Sequence, residues 1–194
     1  VSVLAAIVVV IASIPIALLS VRYTGWLSTV LERITYVGFA VPGIVVGLAL
    51  VLVGASYGGF LYQTLPMLVV GYLVLFLPAS VGPVRASLMQ IRPRIEEASR
   101  ALGRSLLQTW VEITFPLMVP GLLAGVTLVF LLTMKELPAT LILSPLGFDT
   151  LATSVWSAST EGFFAQASLP ALLLILGSAV AMGVLIYQDR RWYK

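Results

Sequence analysis

The chain has 194 residues, of which 60% are hydrophobic and 10% charged, with a mean hydropathy of +1.08 and a formal net charge of +3. A soluble domain covers itself with roughly 25% charged residues, so the surroundings of this chain are mostly apolar. Cysteine and histidine are both absent, which excludes disulfides, thiol nucleophiles, histidine acid–base chemistry and zinc sites; no catalytic or metal-binding set is expected, and the clustered arginines lack the continuous basic face that nucleic acid requires.

Crossing a bilayer takes about 20 apolar residues, and the gaps between charges mark the spans. Residues 1–21 are uncharged and give the first. Arg22, Glu32 and Arg33 bracket a short polar link. No charge falls between 34 and 84, a gap that suits a second span over 34–54 and a third over 65–84. The turn between them is read at Ala55-Ser56-Tyr57-Gly58-Gly59. Residues 85–112 are charged, 113–134 give a fourth span, and 168–188 give a fifth. The expectation is an all-α membrane protein with five transmembrane helices, a single domain over 1–194. Val1 is apolar and no methionine precedes it, which suits a piece of a longer protein.

Basic residues in short loops face the cytoplasm. Arg85, Arg92, Arg94, Arg100 and Arg104 lie in the 85–112 loop, Arg190, Arg191 and Lys194 in the tail, and Arg22 and Arg33 in the first link. The remaining loops hold only Lys135. This predicts the N-terminus outside and the C-terminus in the cytoplasm. Tyr23, Trp26, Trp110, Tyr187 and Trp192 fall near the inner boundary, where aromatic side chains gather. Gly43 with Gly47, and Gly121 with Gly125, have the spacing that lets helices approach closely in lipid. Pro42, Pro78, Pro83, Pro116 and Pro120 mark kinks.

The 85–112 loop is patterned as two short helices. Pro93 suits a first helical turn, Glu96 and Glu97 complement the dipole there, and Gly103 is a stop. Ile95, Ala98 and Leu102 form an apolar stripe. Ser105 and Gln108 form a capping box for a second helix, with Leu106, Leu107, Trp110 and Val111 on one side. Periodicity alone leaves two uses for this elbow: a docking part for a cytoplasmic partner, or a hairpin resting on lipid.

Glu97-Ala98-Ser99, three residues, Gly103, nine residues, Ile113, one residue, then Phe115-Pro116 resembles the EAA loop of binding-protein-dependent ABC importer permeases. Ser99 stands where that pattern has alanine, and Phe115 where it has leucine. The resemblance implies the type I permease core in a bacterial inner (plasma) membrane. It implies that residues 94–112 dock on a separate ATP-binding subunit, with Glu96, Glu97, Ala98, Ser99, Gly103, Ile113 and Pro116 in that coupling loop. ATP and magnesium belong to that partner; this chain has no P-loop and no cofactor of its own is expected. A substrate-binding protein on the outer side and a second permease half, in the same chain or another, complete the implied assembly, embedded in the lipid bilayer.

Lys135-Glu136-Leu137-Pro138-Ala139-Thr140, Gly147-Phe148-Asp149-Thr150-Leu151-Ala152 and Pro42-Gly43-Ile44-Val45-Val46-Gly47 are similar to the ferric-iron branch, whose members often join two halves in one chain. That implies a C-terminal half moving ferric iron; thiamine, polyamine and phosphonate permeases are close alternatives. Ferric iron prefers oxygen donors, and Glu136, Asp149 and Glu161 are the acids of the outer segment 135–166. Residues 113–136 make about 34 Å of helix, which brings Glu136 to the outer edge of the membrane, as pathway lining or as a headgroup pair with Lys135. Asp149 is read as the cap of a short helix from Thr150, with Leu151, Val155 and Trp156 on one face. An ion-coupled transporter is disfavoured because the spans lack ionisable residues. An intramembrane enzyme would need a Ser–Lys pair or paired acids, and none is apparent.

Overall fold

The computed structural model describes residues 1–192 apart from Thr24, Gly58 and Phe60, and leaves out the side chains of Leu27, Glu32 and residues 188–192. The elements run α1 (Ser2–Arg22), α2 (Trp26–Ala40), α3 (Gly43–Tyr57), α4 (Leu65–Gln90), α5 (Pro93–Ala101), α6 (Leu106–Thr109), a π-helical turn (Trp110–Thr114), α7 (Phe115–Lys135), α8 (Pro138–Leu143), α9 (Leu151–Thr160) and α10 (Phe164–Trp192). Among the described residues, four helices are long and apolar enough to cross a membrane: Ser2–Arg22, Leu65–Gln90, the run Leu106–Lys135 and Phe164–Tyr187. Gly58, in the expected 55–59 turn, and the basic tail at 190–194 lie outside the described residues or side chains.

The span expected over 34–54, with a kink at Pro42, is a bent pair, α2 and α3, meeting at 107°. Pro42 supplies the reason. It has no N–H to donate, and its ring pushes the preceding residue out of the helical region. Val41 is accordingly extended, at φ −97° and ψ 126°. With the bent pair counted as one crossing, the described residues give the five expected spans.

At the centre α1, α4 and α7 pack on one another. Ala5, Val9, Leu68, Phe76 and Val129 fill one part of the interior, and Val84, Leu88, Met118 and Leu122 another. In α4 67% of the spanning stretch is buried, against 6% in α10, so α4 is the axis and α10 the periphery. Both glycine pairs sit at contacts. A methyl on Gly121 would come 2.6 Å from the Pro83 carbonyl oxygen, and one on Gly125 would come 3.2 Å from the Ser80 hydroxyl. Gly47 faces Ile142 of α8 in the same way. The Ser80 hydroxyl donates to that of Ser13 at 2.8 Å, and Ser13 donates to the Val10 carbonyl at 2.7 Å. Such pairs join helices where lipid offers no competing partner.

The second loop helix is not a separate element. Ser105 does cap it, but the helix continues through the π-turn into α7 as one run, Leu106–Lys135. Pro116 accounts for the irregularity. Lacking an N–H, it breaks the regular ladder, and just before it the Phe115 N–H reaches five residues back to the Trp110 carbonyl. α5 therefore stands where α1 and α4 end and α7 begins. α8 and α9 follow the far end of α7.

Candidate functional site

Local chemistry shapes the elbow. Pro93 opens α5 and Glu96 lies in its first turn. At the far end the Gly103 N–H donates to the Arg100 carbonyl at 3.0 Å, and the Arg104 N–H to the Ser99 carbonyl at 3.3 Å. This double closure requires a left-handed residue between helix and exit, and Gly103 has φ +87°. The Ser105 hydroxyl then accepts from the Gln108 N–H at 3.2 Å, and the Gln108 side chain accepts from the Ser105 N–H at 2.9 Å. Both predicted punctuation marks, stop and restart, are thus realised within a few residues.

The elbow presents Ile95, Leu102, Leu106, Leu107 and Val111 outward, Leu102 at 84% exposure. Trp110 leaves this face and packs on Phe115, with ring centroids 5.6 Å apart. Glu97 is exposed beside the stripe, and Ala98 is exposed within it. Ile113 is half-buried in the π-turn, and Pro116 is exposed at the second position of α7. Arg104 pairs with Glu112 across the corner. Two residues turn inward. Ser99 is buried, its hydroxyl 3.0 Å from that of Thr109. The Glu96 carboxylate accepts from Arg22 at 2.7 Å and from the Thr114 hydroxyl at 3.0 Å. Sequence reasoning missed Arg22, Thr109 and Thr114. The arrangement presents an apolar outer face over a hydrogen-bonded inner one.

At the opposite end the acids do not converge. Among the described residues no three Asp or Glu side chains gather. Asp149 and Glu161 are exposed at the two ends of α9. The expected capping role of Asp149 is corrected: Thr150 is the cap, its hydroxyl accepting from the Thr153 N–H at 3.2 Å. Asp149 stands one position too early to reach that amide. Glu136 is half-buried and its carboxylate accepts from the Ala139 N–H of α8 at 3.0 Å. The same oxygen lies 2.6 Å from where a methyl on Gly43 would be, so it faces the first residue of α3 as well. Two helix N-termini thus meet one carboxylate. Beside it the Thr140 hydroxyl donates to the Glu136 carbonyl at 2.8 Å. Its one proton being used, Thr140 accepts from the phenol of Tyr72, at 2.7 Å. Tyr72 is fully buried in α4, and its apolar neighbours in sequence gave no sign of this partner.

The profile of the family described as "binding-protein-dependent transport system inner membrane component" matches residues 4–194. The chain is 36% identical over 182 residues to the Fe(3+)-transport system permease protein FbpB 2 of Haemophilus influenzae, covering 94% of this chain and 36% of that protein. It is 30% identical over 156 residues to PhnV of Salmonella typhimurium, named as a candidate 2-aminoethylphosphonate transport system permease, covering 80% and 57%. It is 40% identical over 63 residues to the spermidine/putrescine permease PotB of Escherichia coli, covering 32% and 23%. The chain therefore spans about a third to just over half the length of the relatives it matches most broadly. In fold it is similar to a chain of the MetNI methionine ABC transporter in inward-facing conformations, with TM-score 0.69 at 17% identity over 97% of this chain and 92% of that one. A chain of an amino acid ABC transporter gives TM-score 0.65 at 19% identity, covering 98% and 88%. From the matched profile and the membrane-length helices together, the chain belongs to the family of binding-protein-dependent transport system inner membrane components, as a multi-pass protein of that membrane.

Proposed function

We propose that this chain forms part of the translocation pathway of an ATP-driven importer, and that its cargo is ferric iron. The observation that carries the first half is the elbow. An apolar stripe lies exposed at the bundle end where three core helices meet, and its second part, from Leu106, continues without a break into a spanning helix. A partner seated on that stripe moves α7 directly. An ATP-binding subunit, holding ATP and magnesium, is the proposed occupant, with Glu97, Ala98 and Gly103 at the contact and the elbow in the cytoplasm. Closure of the ATPase biases a two-state bundle between outward and inward openings. A substrate-binding protein delivers cargo at the α8–α9 end, and a second permease half completes the pathway.

Iron is favoured over other solutes by the breadth of the match to FbpB 2, and by chemistry that suits a hard cation. Glu136 and the nearby Tyr72–Thr140 pair are oxygen groups at the delivery end. The matches to PhnV and PotB support a second reading, a phosphonate or polyamine cargo. The test is uptake into vesicles holding the full-length parent protein with its ATPase and binding protein. Radioactive ferric iron entering only with ATP is expected. Uptake of 2-aminoethylphosphonate or spermidine in its place selects the second reading, and uptake without ATP overturns the importer.

A further inference from the structure

The backbone leaves the helical conformation at both ends of α5. This helix hangs from α4 through the extended Ile91–Arg92 link and from α6 through the left-handed Gly103. A push on an element held only by two such joints is absorbed by rotation about them. Side chains supply the missing brace. One oxygen of Glu96, on α5, takes hydrogen bonds from Arg22, the last residue of α1, and from Thr114, the last residue of the π-turn. Arg22 also donates to the Ile91 carbonyl at 3.4 Å, at the end of α4. The end of α1 and the start of the α7 run therefore meet at one carboxylate, and the end of α4 is tied to it through Arg22. The ion pair is mostly shielded, with Arg22 17% and Glu96 22% exposed, so salt screens it less than a surface pair.

From this geometry we infer that Arg22 and Glu96 are positioning residues that carry displacement of α5 into α1, and so keep ATP hydrolysis tied to transport. The inference rests on the importer reading. It assigns Glu96 a role inside the chain, distinct from the exposed Glu97 beside it.

The test uses the full-length parent protein, its ATPase and its binding protein in vesicles, and measures cargo moved per ATP hydrolysed. In Glu96→Gln and Arg22→Gln, ATPase binding and hydrolysis stay near the parent level while cargo per ATP falls about tenfold, within the usual range of coupling between sites. Thr114→Val, which keeps the ion pair, gives a smaller fall. The exchanged pair, Arg22→Glu with Glu96→Arg, recovers most of the loss. An unchanged ratio in Glu96→Gln overturns the inference. So does a loss of transport that tracks lost thermal stability in every variant, the exchanged pair included, because that marks a purely structural bond. Failure of the unaltered assembly to move any cargo with ATP is a separate result; it removes the importer reading and this inference with it.

Discussion

The hydroxyls of Ser99 and Thr109 lie 3.0 Å apart in the buried angle of the elbow, joining α5 to the helix that leads into the membrane. Ser99 is the position where the resembling loop pattern carries alanine, so the departure is not neutral here. Ser99→Ala strands the Thr109 hydroxyl and costs about 1–2 kcal/mol locally. Amide exchange in α5 is expected to quicken by about 5- to 30-fold, at the usual conversion of that energy. The double variant Ser99→Ala with Thr109→Val regains most of the protection. Equal exchange in all variants sinks the idea that this pair sets the elbow angle.

Gly103 has φ +87°, where a β-branched side chain is strained by about 1–2 kcal/mol. Gly103→Val should reopen the Schellman closure and weaken ATPase binding by about tenfold, as 1.4 kcal/mol does. Gly103→Asn, which tolerates that backbone region, should bind nearly as the parent does. Titrating the ATPase onto solubilised protein separates the two.

Leu102 is 84% exposed, so a charge there leaves the bundle's interior untouched. Leu102→Glu is expected to weaken ATPase docking by at least about tenfold, as at a contact residue that matters, with thermal stability unchanged. Wild-type affinity in this variant means the partner sits elsewhere.

Packing in the membrane gives a prediction independent of function. Gly121→Ala drives a methyl against Pro83 and Ser87, and overpacking of this kind costs about 1–3 kcal/mol. Gly82 has nothing within 4 Å of an added methyl, so Gly82→Ala stays within about 0.5 kcal/mol. Thermal unfolding in one detergent compares them directly.

Tyr72→Phe removes the donor to Thr140, a bond of the kind that averages about 0.6 kcal/mol between membrane helices. Stability should fall little. If α8 lines the pathway, transport falls while ATPase binding holds; transport at the parent rate removes this end from the pathway.

How legible was this molecule in its sequence? Transfer into lipid is governed by composition, so α1, α4, α7 and α10 announce themselves through missing charges. The capping box of Ser105 and Gln108 and the stop at Gly103 were readable because their partners lie within five residues. Pro42 marked a kink, but an angle of 107° depends on what α3 packs against, which is α8 and its Ile142. Asp149 and Thr150 are adjacent capping candidates, and only the backbone direction chose Thr150. The bonds Arg22–Glu96, Ser13–Ser80 and Tyr72–Thr140 join residues 74, 67 and 68 positions apart. No local pattern encodes them, and so Glu96 read as a second outward acid rather than an inward one.

The π-turn at Trp110–Thr114 sets the phase between two faces of one helix. A π-turn holds one residue more than the α-helix it interrupts, and each residue turns the helix by about 100°. Leu106 and Leu107 before it, and Met118 and Leu122 after it, are thus aimed by an inserted residue: the first two at the exterior, the others at the core. Removing one residue from this turn would leave both faces chemically intact and point them in discordant directions, like a key cut correctly on a twisted blank.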